Sequence, residues 1–322
     1  MLQVSAPSPS VPSASRRGAG LLFGVGTYLI WGGLPLFFLT LDPAGPWEIV
    51  AARVVFSLVF CLLLLVLTRS WSVFRSVWRA PGLVGRFAAA AILIYVNWQM
   101  YVVAVTSGHV VESALGYFIN PLVTVLLAVL VLHERLRPAQ WVAVGITAVA
   151  VVVLTVDYGR LPWIALVLAG SFACYGLIKN RIGSRVDSLT GMTVETTLLT
   201  PVAGVILTIV GMSGGLTFAT HGSAHFWLLV TSGPVTAIPL ILFAAAAQRL
   251  PLSWLGFLQY LSPVLQFLVG VLILHESMPA ARWIGFGIVW VALVVLIVDG
   301  TLESSRSHRR HQLEASRLRG QS

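Results

Sequence analysis

Residues 121–157 read PLVTVLLAVLVLHERLRPAQWVAVGITAVAVVVLTVD, and residues 263–299 read PVLQFLVGVLILHESMPAARWIGFGIVWVALVVLIVD. A constant offset of 142 residues, without a gap, brings Pro121 onto Pro263, His133 onto His275, Glu134 onto Glu276, Trp141 onto Trp283, Gly145 onto Gly287 and Asp157 onto Asp299. Composition alone does not produce such agreement among non-aliphatic residues. Each copy reads as an apolar helix, a short polar connection carrying His-Glu, and a second apolar helix, so the chain reads as a duplicated helical membrane unit.

The composition excludes a soluble globule. With 57% hydrophobic and 10% charged residues, the chain has too little polar surface to face water. A helix needs about 20 apolar residues to cross roughly 30 Å of hydrocarbon while satisfying its own backbone hydrogen bonds. Ten such runs are predicted, at 20–41, 47–68, 84–105, 110–132, 138–156, 161–178, 189–212, 226–247, 252–274 and 281–298. The fold class expected is therefore an all-α integral membrane protein, ten transmembrane helices arranged as two inverted five-helix repeats. Residues 20–157 form one repeat and 158–300 the other, between a disordered tail at 1–19 and a basic cytoplasmic tail at 301–322.

Cys61 and Cys174 both fall inside predicted spans and imply no disulfide framework. Residues 1–15 are rich in Ser, Pro and Ala, and Arg16 and Arg17 precede a run too long for a cleavable signal, so that run is read as a permanent span. The basic residues set the orientation. Arg16, Arg17, Arg69, Arg75, Arg79, Arg86, Arg135, Arg137, Lys179, Arg181, Arg185, Arg249 and the arginines after Gly300 fall on one side, leaving Arg160 and Arg282 on the other. The positive-inside rule then puts both termini in the cytoplasm. The net charge of +9 is an insertion signal, without nucleic acid. Five spans per copy is an odd number, so the second copy enters the membrane from the opposite face, an arrangement that carriers use to open on alternate sides.

Polar groups within the spans are few. Arg53 and Glu195 are also 142 apart, but inverted topology puts them at depths differing by roughly 10 Å. Snorkelling to separate interfaces, or local packing, is preferred to pairing or a substrate role. His109, Glu112, Gly116 and Asn120 share one stripe of the fourth span. They suggest either proton coupling at His109 and Glu112 or, preferred, a helix capped by Ser107 with Glu112 in its first turns. Tyr95, Asn97, Trp98, Gln99 and Tyr101 on the third span, with Gln259, Tyr260, Ser262 and Gln266 on the ninth, offer aromatic rings beside uncharged amides. They suit either a small substrate with an apolar body or interhelical hydrogen bonding. Pro121, Pro263, Pro201, Pro234 and Pro239 bend or interrupt spans. His133 and Glu134 lack further ligands at metal spacing, and no metal is expected. Phosphate loops, dinucleotide fingerprints and catalytic triad motifs are absent, so neither an enzyme nor a cofactor is indicated.

The blocks ending HERLRPAQW and HESMPAARW resemble the EamA domains of the drug/metabolite transporter superfamily. NWQMYVVAVTSGHVVESALGYFINPLVTVLLAVLVLHERL and PVTAIPLILFAAAAQRLPLSWLGFLQYLSPVLQFLVGVLILHES are similar to the RarD branch, whose members are labelled chloramphenicol-sensitive permeases. His133 and His275 stand where many relatives have Gly. The resemblance covers residues 20–300. It implies a multi-pass carrier of the bacterial cell membrane that exports or exchanges small metabolites, with a homodimer as one assembly. The central cavity it implies is lined by the first, third, fourth, sixth, eighth and ninth spans. The candidate lining residues are Trp31, Trp98, Gln99, Tyr101, Tyr117, Asn120, Tyr175, Gln259, Tyr260 and Gln266. A membrane sensor or scaffold is the alternative class, but the loops leave no room for an output domain.

Overall fold

A computed structural model describes residues 14–132, 136–182, 186–247, 249–250 and 252–319. The expectations for residues 1–13 and for His133, Glu134, Arg135 and Arg185 lie outside the described residues. The helices are α1 (Ala14–Leu39), α2 (Pro46–Leu67), α3 (Trp71–Trp78), α4 (Pro81–Thr106), α5 (Val110–Leu132), α6 (Pro138–Tyr158), α7 (Trp163–Ile182), α8 (Ser188–Met212), α9 (Gly222–Ala247), α10 (Leu252–Leu258), α11 (Leu261–Leu268) and α12 (Ala280–Arg319). Prolines open α2, α4 and α6, where the missing N–H is one the helix would leave unpaired anyway. Asp187 caps α8 by accepting from the Thr190 backbone N–H at 2.9 Å, and Gly159, left-handed at φ 63°, ends α6.

Among the described residues, nine helices are long and apolar enough to cross a membrane. The expectation of ten continuous spans is corrected at the ninth. Instead of one helix over 252–274, the chain forms α10, a turn at Gln259 and Tyr260, then α11, which runs into a π-helical turn at Val269–Ile273. Pro263 cannot donate to the carbonyl four residues back. Pro121, which the 142-residue offset superposes on it, sits inside the unbroken α5, so the proline alone does not break the segment. The two pieces take different neighbours: α10 lies against α1 and α9, while α11 packs on α1 and α5. The connection expected after the second span also contains structure, the short helix α3, whose Trp71, Phe74 and Trp78 rings meet edge to face. Beyond Gly300 the backbone continues as α12 to Arg319.

The distribution of side chains inverts that of a soluble protein. Glu48, Arg53, Asn97, Gln99, Glu112, Glu195 and Gln266 are buried, while Leu63, Val149, Val152, Val205, Ile209, Ile284 and Val294 are exposed. Lipid tails solvate the second set; charge and amide groups must find partners inside the bundle. One apolar core joins α5, α6, α7, α11 and α12 around Phe118, Phe267 and Phe286. A second joins α1, α2, α4, α5, α7 and α9 around Phe38, Ile49 and Tyr101. Helices meet closely where glycine permits it: a Cβ on Gly233 of α9 would sit 2.5 Å from the Phe56 carbonyl oxygen of α2, and one on Gly116 of α5 2.8 Å from the Ala165 carbonyl oxygen of α7.

α6 and α12 run antiparallel and are clamped at both ends. Arg282 near the start of α12 reaches Asp157 near the end of α6 at 2.9 Å, and Arg137 before α6 reaches Asp299 of α12 at 2.6 Å. The two aspartates are the ones that the 142-residue offset superposes.

Candidate functional site

Arg53 lies seven residues, about 10 Å, inside the start of α2. It is 4% exposed, so of the two expectations, snorkelling or local packing, it takes the second. Internal partners remove the need to reach an interface: its Nε donates to Thr236 Oγ1 of α9 at 2.7 Å, and its guanidinium carbon lies 4.2 Å from the centre of the Trp98 ring and 5.5 Å from that of Phe38. Cation–π contact of this kind is strongest where water is excluded. Around it, Phe38, Tyr101 and Tyr117 form an edge-to-face series with centroids 6.0 and 5.8 Å apart. Phe172 and Tyr175 extend that series to α7.

The expected site residues Trp98, Tyr101 and Tyr117 thus come together, with Arg53 at their centre. Tyr117 donates its hydroxyl to Asn97 Oδ1 at 3.2 Å, and Asn97 Nδ2 donates to the Leu168 carbonyl and to Ser171 Oγ at 3.0 and 3.1 Å. That fully used amide joins α4, α5 and α7. Among the described residues, the buried Tyr101 hydroxyl, Gln99 Nε2, Asn120 Oδ1, Gln266 Oε1 and Arg53 Nη1 have no hydrogen-bond partner. Gln99 accepts only from Tyr95, at 3.2 Å.

Other members take partners of their own. Gln266 donates to the Trp31 carbonyl and to Ser262 Oγ, both at 3.1 Å, beside a ring group of Tyr28, Trp31 and Phe243. Gln259 is exposed at the break between α10 and α11, and Tyr260 packs against the α5–α12 core. Tyr175 donates to Glu195 Oε2 at 3.2 Å, and Lys179 Nζ donates to Glu195 Oε1 at 2.8 Å. Arg53 and Glu195 therefore take separate partners, and Glu195, like Arg53, stays buried instead of snorkelling.

His109 and Glu112 share the wall of a cavity of about 340 Å³ with Tyr158, Arg160, Glu276, Ser277 and Arg282. Glu112 pairs with Arg160 through both carboxylate oxygens, at 3.4 and 2.8 Å, and accepts the Ile164 backbone N–H that opens α7. His109 Nδ1 lies 3.1 Å from Ser107 Oγ. Ser107 does not cap α5: it donates to the Val103 carbonyl at the end of α4. The cap comes from far along the chain, since Glu276 Oε1 accepts from the Val110 backbone N–H at 2.6 Å and Oε2 from Val111 at 2.9 Å. Burial pushes the Glu276 carboxyl above its ordinary range, against the two backbone donors.

Sequence reasoning missed this cap, the Arg53 cage and Glu48. The buried Glu48 accepts from the Thr217 and Phe218 backbone N–H groups at 2.8 and 2.9 Å and from Thr217 Oγ1, which also meets His225 Nε2. The signal available was an acidic residue in the first turn of an apolar helix.

A bundle with exposed aliphatics and charged groups gathered inside defines a polytopic membrane protein. The EamA-like transporter family model matches residues 18–156. Protein RarD of Streptomyces exfoliatus is 51% identical over 303 residues, 94% of this chain and 95% of that one. Protein RarD of Escherichia coli strain K12 is 38% identical over 296 residues, 92% and 99% of the two chains. The uncharacterized transporter YojE of Bacillus subtilis strain 168 is 38% identical over 298 residues, 91% and 97%. One crystal structure matches at 20% identity with a TM-score of 0.56 over 86% of this chain and 96% of its own, a likeness of fold. The chain belongs to the EamA family and is a RarD-type permease.

Proposed function

We propose that the chain is a secondary carrier that exports or exchanges a small organic solute across the bacterial cell membrane by alternating access. Residues 20–157 and 158–300 act as two inverted repeats, with both termini cytoplasmic. The substrate site is the aromatic cluster at Trp98, Tyr101 and Tyr117, with Trp31, Gln99, Asn120, Tyr175 and Gln266 at its margins.

The observation that carries this reading is that Arg53, in the first repeat, is held by Thr236, in the second. The cluster therefore lies where the two proposed halves meet, and rocking of one half on the other opens it. The clamp of α6 on α12 supports an inverted relationship, because repeat-mate aspartates occupy its opposite ends. The break at Gln259 and Tyr260 supplies a discontinuous segment of the sort that carriers place beside their binding sites. In the proposed orientation the Glu276 cap lies on the external side.

Two measurements test the proposal. Liposomes containing the purified protein and loaded with an aromatic acid, an aromatic amino acid or chloramphenicol are expected to accumulate the same labelled compound by counterflow; failure with every solute removes the carrier reading. In a background with Cys61 and Cys174 replaced by Ala, Ser72→Cys and Ser277→Cys are expected to react with an impermeant thiol reagent from opposite faces. Labelling of both from one face removes the inverted topology.

A further inference from the structure

We propose that Arg53 binds the carboxylate of an organic acid whose apolar body rests on the rings of Phe38, Trp98, Tyr101 and Tyr117. The inference rests on the carrier reading above and names the substrate class of the same site.

Charge pairing inside the bundle points to it. Glu195 is neutralised by Lys179, Glu112 by Arg160, Asp157 by Arg282 and Asp299 by Arg137. Glu48 and Glu276 are held by backbone N–H groups. Among the described residues no carboxylate pairs with Arg53, although it is 4% exposed. A guanidinium cannot discharge itself by losing a proton as a lysine can, so it stays charged in a medium that opposes lone charges.

The hydrogen-bonding inventory agrees. Of the guanidinium donors, Nε is used by Thr236, while Nη1 is buried without an acceptor. Among the described residues the Tyr101 hydroxyl is a second buried group without a partner, and its ring packs against Phe38, over which the guanidinium also lies. A cation flanked by an unused N–H and an unused O–H complements a group that carries negative charge and only accepts, as a carboxylate does. The surrounding rings offer apolar faces and no competing anion. A purely structural brace would need the contacts with Trp98 and Thr236 but leaves Nη1 and the Tyr101 hydroxyl unaccounted for. A cationic solute meets like charge here, and a neutral amide leaves the guanidinium uncompensated.

Phenylacetate, phenylacetamide and phenethylamine, which share one ring and differ in charge, provide the test on the purified full-length protein. Phenylacetate is expected to raise the apparent unfolding temperature saturably, because a ligand that binds only the folded state stabilises it; the amide and the amine are expected to give no shift. Arg53→Lys should weaken acid binding at least about tenfold, since lysine keeps the charge without the planar fork, and Arg53→Gln should abolish it. Equal stabilisation by the amide or amine, retention of acid binding by Arg53→Gln, or no shift from phenylacetate and a series of aryl and alkyl carboxylates overturns the inference. Should Arg53→Gln not fold, the wild-type comparison and Arg53→Lys decide. Acid binding without counterflow would remove the carrier reading and leave this inference standing. Counterflow of a neutral solute, unchanged by Arg53→Gln and without acid binding, would do the reverse.

Discussion

The carboxylate of Glu276 accepts the backbone N–H of Val110 at 2.6 Å and that of Val111 at 2.9 Å, closing the N-terminus of α5 from the segment before α12. The first N–H groups of a helix have no intrahelical partner. Here they are satisfied by a residue 166 positions away. Glu276→Ala is expected to lower stability by about 1–3 kcal/mol, since buried donors lose a charged acceptor; thermal unfolding in detergent measures it.

The same carboxyl sets a pH dependence. Its pKa in the folded protein is raised above 4.5, mainly by burial, so the folded state holds the proton more tightly than the unfolded chain. The stabilisation gained by protonation is full below the unfolded value and is lost as pH rises through the raised folded value. Wild type should therefore gain stability relative to Glu276→Gln as pH falls through the raised value toward 4.5. A difference in unfolding temperature that stays flat across that window would contradict this assignment.

At the other face of the question stands the clamp between α6 and α12. Arg282 donates to Asp157 at 2.9 Å and to the Ser277 carbonyl, and stacks over Tyr158 at 4.3 Å. The pair is largely shielded, so Asp157→Ala and Arg282→Ala should couple by about 1 kcal/mol in a double-mutant cycle. Exchanging the charges, Asp157→Arg with Arg282→Asp, should recover only part of the loss, because the stacking on Tyr158 is not restored.

Two tyrosines on adjoining helices make opposite predictions. The Tyr101 hydroxyl has no partner, so Tyr101→Phe should be neutral or slightly stabilising while impairing counterflow. Tyr117 donates to Asn97, so Tyr117→Phe should cost about 1 kcal/mol by leaving a buried acceptor without that donor. Unfolding midpoints and counterflow rates of the two variants, taken together, separate a binding role from a packing one.

Where α2 meets α9 there is no room for a side chain. A Cβ on Gly233 would lie 2.5 Å from the Phe56 carbonyl oxygen, and backbone cannot swing aside as a side-chain end can. Gly233→Val is expected to destabilise by on the order of 3 kcal/mol, seen as a lower unfolding temperature or a lower yield of monodisperse protein.

The membrane class and most of the long helices were legible in the amino-acid order, because bilayer thickness and backbone hydrogen bonding make a long apolar helix the only cheap way across. The aromatic and amide residues of the candidate site stood out too, being rare within apolar runs. What Arg53 does was not legible. Depth along one helix left escape to an interface and local packing both open, and only the approach of Thr236 and Trp98 from other helices keeps the charge inside. Likewise nothing in the order of residues announces that α5 is capped by Glu276 and not by Ser107, or that the segment breaks at Gln259 and Tyr260 while α5 runs unbroken through Pro121. Those outcomes are decided by which helices become neighbours, since a buried polar group takes whatever partner the completed bundle brings within reach.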